Sequence, residues 1–319
     1  MNILVTGGAG YIGSHVVLEL LDNGYDVTII DNLSLGQEIN IDSRATFYLG
    51  TILSEKDLDN IFSKKFDAVI HLAAYKSVSD SMKNPSKYLY NNMIGTSKLL
   101  IACNKYNINN FIFSSTAAVY GEPKYLPIDE LHPTNPKNYY GELKLQIEKN
   151  LNWYSKLSKM NYVALRYFNV AGYDNKARIK GKEINPQNLI PIIMDVLLGN
   201  IKKLEVFGDD YDTHDGTPIR DYIHVSDLAQ AHVLSLKYLN NHKKNLTLNL
   251  GTEKGYSVFD IIKQCELIAN KKVNYSIAPR RRGDAEKIVS NFNKAKTILN
   301  WNPKESNLKT IIKTCWNVY

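Results

Sequence analysis

Cysteine is scarce: there are three, Cys103, Cys265 and Cys315, far apart and without CxxC spacing. That excludes a disulfide framework and a thiolate zinc site, and it predicts three small buried apolar side chains in a reduced protein. No metal is expected. No run of 18 apolar residues occurs, so no membrane-spanning helix is expected. No block of like charge, low-complexity linker or internal repeat occurs, and no groove-reading motif for nucleic acid. The first residues, Met1 to Thr6, run straight into a glycine-rich turn and not through a basic-then-apolar leader, which predicts a cytoplasmic location.

What is present supports a large core. The 319 residues are 44% hydrophobic, enough for two domains or one large domain with a lobe. The net charge of +7 fits nucleic acid, a membrane surface or a small polyanionic ligand, but with no Lys/Arg tract most of it reads as solvated surface. The 21 tyrosines are scattered, as core and rim residues are.

Short apolar runs at Ile3–Thr6, Val27–Ile30, Thr46–Tyr48, Ala68–Leu72, Asn110–Ser114 and Val163–Tyr167 read as strands. They are continuous and not alternating, which suits strands covered on both faces. Helical patterns between them predict an α/β fold with a doubly wound parallel sheet. Beyond Asn169 the loops lengthen. The expected division is 1–169 for a dinucleotide-binding domain and 170–319 for a smaller α/β substrate lobe, with 222–250 returning to the first sheet.

Gly7-Gly8-Ala9-Gly10-Tyr11-Ile12-Gly13 follows the first strand and precedes a helix. Such a turn lets the backbone approach a pyrophosphate, and the helix N-terminus offers free N–H groups to it. Asp31 closes the second strand 18 residues after Gly13. A carboxylate there binds ribose hydroxyls and repels a 2′-phosphate, so NAD is expected in preference to NADP.

Tyr140 and Lys144 are four residues apart, on one face of a helix carrying the apolar stripe Leu143, Ile147, Leu151 and Tyr154. The segment Phe113–Gly121 ends a strand upstream and supplies Ser114, Ser115 and Thr116. A phenol has a pKa of ~10, too high for a base near neutrality. A neighbouring ammonium and a positive nicotinamide lower it.

The spacing of Gly7, Gly10 and Gly13 resembles the extended branch of the short-chain dehydrogenase/reductase family, as do His71-Leu72-Ala73-Ala74 and Asn91. Six further segments resemble the UDP-galactose 4-epimerases within it: Tyr11–His15, Asp31–Leu33, Phe111–Ser115, Leu165–Asn169, Arg220–Val225 and Ala278–Asp284. The resemblance implies NAD-linked inversion of C4 in a UDP-hexose by Tyr140, Lys144 and Thr116, with Ser114 and Ser115 as alternatives to the last. It implies a cofactor site of Gly7, Gly10, Tyr11, Ile12, Gly13, Asp31, Asn32, Thr51, Ile52, Leu72, Ala73, Lys76, Asn91, Tyr140, Lys144 and Phe168. Thr51 stands where the family often has an Asp against adenine, and His71 reads as a structural histidine.

For the UDP-sugar the resemblance implies Lys76, Thr116, Tyr167, Asn169, Asn188, Leu189, Phe207, Arg220, Arg281, Asp284 and Ile288. Arg forks suit phosphate oxygens, but not all of Arg280–Arg282 can point inward. Ala117 and Ala118 replace the acids that related dehydratases and decarboxylases carry, which favours plain epimerisation. Ile288 replaces a bulky Tyr, which implies acceptance of UDP-GlcNAc and UDP-GalNAc as well. A homodimer through helices near 86–106 and 140–158 is also implied. The rival readings are another NAD-linked UDP-sugar enzyme or a non-catalytic NAD-sensing regulator.

Overall fold

A computed structural model describes residues 1–183, 186–281 and 283–319. The first part of the chain alternates strand and helix: β1 (Asn2–Thr6), α1 (Tyr11–Asp22), β2 (Asp26–Asp31), β3 (Thr46–Leu49), α2 (Glu55–Phe62) and β4 (Ala68–His71). Two short helices follow, α3 (Val78–Lys83) and α4 (Pro85–Tyr88), then α5 (Gly95–Lys105), β5 (Asn110–Thr116), α6 (Tyr139–Leu157) and β6 (Asn161–Tyr167). The second part holds β7 (Asn169–Ala171), α7 (Leu189–Leu197), β8 (Leu204–Phe207), β9 (Ile219–His224), α8 (Val225–His242) and β10 (Leu246–Leu250). It ends with β11 (Gly255–Tyr256), α9 (Val258–Ala269), β12 (Tyr275–Ala278), β13 (Lys287–Ile288), α10 (Asn293–Leu299) and α11 (Leu308–Val318).

The apolar runs make one seven-stranded parallel sheet in the order β10-β6-β5-β4-β1-β2-β3. Ile3, Val5, Ile29, Ile70 and Leu165 face α1, α8 and Trp301, while Leu4, Ile30, Val69, Phe113 and Ala164 face α2, α5 and α6. Both faces are therefore dry, as continuous apolar strands require. Successive strands run β1, β2, β3 outward on one side and β4, β5, β6 on the other, so the sheet reverses direction between β1 and β4. In such folds the crevice at the strand C-termini beside that reversal is where ligands bind.

The expected return of 222–250 to this sheet holds for β10, which pairs with β6. It fails for β9, which pairs with β7, β11 and β13 in a separate small sheet. Asp221, buried at the centre of that sheet, accepts from Thr252 N and Oγ1, Glu253 N and Ser290 N and Oγ. A fully paired carboxylate fixes β9 there. The three cysteines are buried and unpaired.

Candidate active site

The first turn after β1 shows why its residues are glycines. Gly7 has φ +74°, and a Cβ there would lie 2.7 Å from Ala73 N. A Cβ on Gly13 would lie 2.0 Å from Gly7 O, so only glycine lets α1 pack this close to the turn. Gly10 caps α1 without a side-chain hydrogen bond, which leaves the first N–H groups of the helix available. Asp31, at the end of β2, turns back to this turn: one carboxylate oxygen accepts from Ala9 N (3.0 Å), the other from Leu33 N (2.9 Å). Burial pushes its pKa up and those two bonds pull it down.

Neighbouring strand ends complete the rim. Thr51 N donates to Asp57 Oδ2 on α2 (3.0 Å), and the Thr51 hydroxyl accepts from Leu53 N. His71 is bonded by the hydroxyls of Thr6 (2.7 Å) and Thr96 (2.8 Å), and burial pushes its pKa down to about 3. It is a neutral, satisfied core residue. Asn91 is half-buried and bonds Asn92, whose own side chain clamps Tyr75 through N–H and C=O.

At the end of β5 three hydroxyls sort themselves by partner. Ser114 bonds the Tyr167 hydroxyl, Ser115 Oγ donates to Glu148 (2.5 Å), and Thr116 bonds the Tyr140 hydroxyl. Thr116 Oγ1 also accepts from Ala118 N at 3.2 Å. Tyr140 lies in the first turn of α6, which Asn138 caps by accepting from Gly141 N at 2.8 Å. The positive end of that helix favours a phenolate. One turn on, Lys144 Nζ donates to Ser114 O at 2.6 Å and lies 5.8 Å from the centroid of the Tyr140 ring. Burial pushes Tyr140 up to about 12, with the Thr116 bond opposing it. Burial pushes Lys144 down to about 7, with the Glu148 charge opposing it. A hydroxyl, a phenol and an amine thus converge, with the amine poised to carry charge when an anion forms beside it.

The segments from β8 to β13 supply cations and an aromatic plate. Arg281 Nε donates to Asp284 at 2.8 Å and its guanidinium stacks 4.8 Å from the centroid of the Phe207 ring. Arg220, largely buried on β9, lies 3.9 Å from the same Asp284. Arg280 turns away to Asp210 and Tyr211, and Arg282 lies outside the described residues. Ile288 sits on β13 beside Arg220 and packs against the group of Val119, Tyr120, Leu145 and Phe168. Asn188 precedes α7 without using its side chain as a cap, and Leu189 begins that helix. The exposed Asn169 bonds the Tyr222 hydroxyl. Lys76 pairs with Glu183 and lies 5.9 Å from the Tyr11 ring. The Tyr167 hydroxyl is 2.6 Å from His232 Nε2, beneath α8, and also meets Ser114 and feels the charge of Tyr140. Because His232 Nδ1 bonds Leu228 O, Nε2 is left as an acceptor and the phenol donates to it.

The pattern of the NAD dependent epimerase/dehydratase family matches residues 3–251. The UDP-glucose 4-epimerase of Halalkalibacterium halodurans is 47% identical, over 99% of this chain and 95% of its own. This chain belongs to that family. Among solved structures, UDP-glucose 4-epimerase from Brucella ovis in complex with NAD is similar at TM-score 0.96 and 41% identity, over 99% of this chain and 97% of its own. The UDP-Glc/GlcNAc 4-epimerase of Campylobacter jejuni is similar at TM-score 0.88 and 37% identity, over 99% and 98%.

The family's dinucleotide fits the residues present. A Cβ at Gly7 or Gly13 would collide with backbone and force the turn open, and Asp31 retains acceptor capacity beyond its two backbone bonds. Sequence reasoning missed the buried chain behind the catalytic helix. Arg166 grips Glu148 with Nε (3.0 Å) and Nη2 (2.6 Å), and donates through Nη1 to the Tyr120 hydroxyl. Tyr120 in turn donates to Asn249 on β10. Glu148 lies four residues after Lys144, a spacing that placed it on the same face but gave no partner.

Proposed function

We propose that the protein is an NAD-dependent UDP-glucose 4-epimerase that interconverts UDP-glucose and UDP-galactose. The observation that carries this is the Thr116–Tyr140–Lys144 group, at the same end of the parallel sheet as the glycine turn, with no acid at Ala117 or Ala118. Bound NAD⁺ supplies a hydride acceptor that can hand the hydride back. Tyr140, as tyrosinate, takes the C4 hydroxyl proton as the C4–H bond breaks, and returns it on reversal. Lys144 balances the phenolate charge, and Thr116 holds the reacting oxygen. Arg220 and Arg281 hold the diphosphate, Asp284 the uridine ribose, and Phe207 lies by the uracil. The flat 4-keto sugar turns over about that anchor, so reduction occurs on its other face. Methyl groups at 117 and 118 protonate no leaving hydroxyl, so dehydration is not supported.

Incubation with UDP-galactose and separation of the products tests the reading. UDP-glucose is the expected product; a 4-keto-6-deoxy sugar or a pentose overturns it.

Ile288 leaves space beside the hexose that a Tyr ring would take, so UDP-GlcNAc and UDP-GalNAc are substrates too. Tyr90, Ile94 and Ile101 on the run from α4 to α5, with Trp153 and Leu157 on α6, form an exposed apolar face. Such a face on neighbouring helices supports a two-fold homodimer. The unpaired, buried cysteines support a reducing, cytoplasmic setting.

A further inference from the structure

We propose that residues 172–183 form a strap that locks the dinucleotide into its site, with Asn40 as the positioning residue that fastens it. The proposal rests on placing the dinucleotide at the glycine turn.

The segment after β7 does not run directly to α7. It first lies along α1: Tyr11 donates its hydroxyl proton to Gly172 O (2.5 Å), and Asp174 N donates to His15 Nε2 (3.0 Å). Arg178 then bridges Asp174 and, at the far end of α1, Asp22, both at 2.7 Å. The chain returns over the N-terminal end of α1, where Gly181 N donates to Asn40 Oδ1 at 2.7 Å. Gln37 donates to Lys182 O, and Lys76 pairs with Glu183.

Asn40 is buried, and its side chain joins two parts of the molecule far apart in sequence. Its Oδ1 holds the strap, while its Nδ2 donates to Ala9 O (3.3 Å), inside the glycine turn. Gln37 N donates to the same Ala9 O at 3.0 Å. The turn that approaches the pyrophosphate and the strap that crosses above it are therefore clamped by one amide. A ligand between them leaves only when the clamp opens, so opening sets the release rate. Epimerisation needs this, because a dinucleotide lost in mid-cycle would strand a 4-keto sugar.

Exchange of the NAD bound to the purified protein for radiolabelled NAD tests the strap, in wild type, Asn40→Ala, Gly181→Ala and the double variant. A Cβ on Gly181 would lie 2.4 Å from Asn40 Oδ1, so Gly181→Ala pushes the strap off. Each single variant is expected to exchange at least tenfold faster at temperatures well below its thermal midpoint, and the double variant no faster than the faster single. Wild-type exchange rates in both single variants overturn the strap. So do multiplied effects in the double variant, or faster exchange only in step with a lowered midpoint. A wild type that binds no NAD overturns the dinucleotide site itself, and the strap with it.

Discussion

Tyr140 and Lys144 are tuned by the same burial in opposite directions, the phenol up to about 12 and the ammonium down to about 7. Between those values the pair shares a single proton. Below about 7 it holds a second proton and has no base. The rate is therefore expected to rise with pH through an apparent pKa near 7 that belongs to the pair and not to either residue. Lys144→Met should move that rise to the alkaline side, as a pH profile of kcat would show. Tyr140→Phe should lower kcat by ~10²–10⁴ while UDP-hexose binding survives, because only the proton acceptor is removed; calorimetry alongside the rate separates the two. Ile288→Tyr should lose kcat/KM for UDP-GalNAc selectively. Equal losses on both sugar pairs would contradict the role given to that position.

At the scale of the element, α6 is placed by β5. Ser114 O holds Lys144 and Ser115 Oγ holds Glu148, so consecutive strand residues grip consecutive helix turns. Glu148→Ala should cost about 3–5 kcal/mol of unfolding free energy, because it leaves the Arg166 guanidinium buried and unpaired; denaturant unfolding measures this. The strands and the glycine turn were legible because apolar runs and Gly/Asp spacing are local signals. The partners of Glu148, Arg166, Tyr120 and Asn249 were not, since the last link joins residues 129 apart. The partner of the Tyr167 hydroxyl was hidden for a related reason: its place in a shared motif does not name the group it bonds, and His232 lies 65 residues on. The position of β9 was equally hidden, as an apolar strand carries no mark of which sheet it joins.

For the molecule as a whole, burial holds His15, His71, His224 and His232 neutral. Burial pushes His15 and His232 down to about 4, and His71 and His224 down to about 3. Unfolded histidine titrates near ~6.5, so the unfolded chain binds more protons. Their stabilisation is complete above that pH and is lost as pH falls. At pH 5 the loss is about 2 kcal/mol for each. The thermal midpoint should drop markedly from pH 7 to pH 5, and a flat midpoint would contradict the neutral assignments. The proposed chemistry comes down to one event: a hydride leaves C4 and returns to the same carbon. UDP-galactose deuterated at C4, given to the protein without added NAD, tests it most directly. The account predicts UDP-glucose with the deuterium still on C4. UDP-glucose carrying hydrogen at C4, or a product altered elsewhere in the sugar, would contradict it.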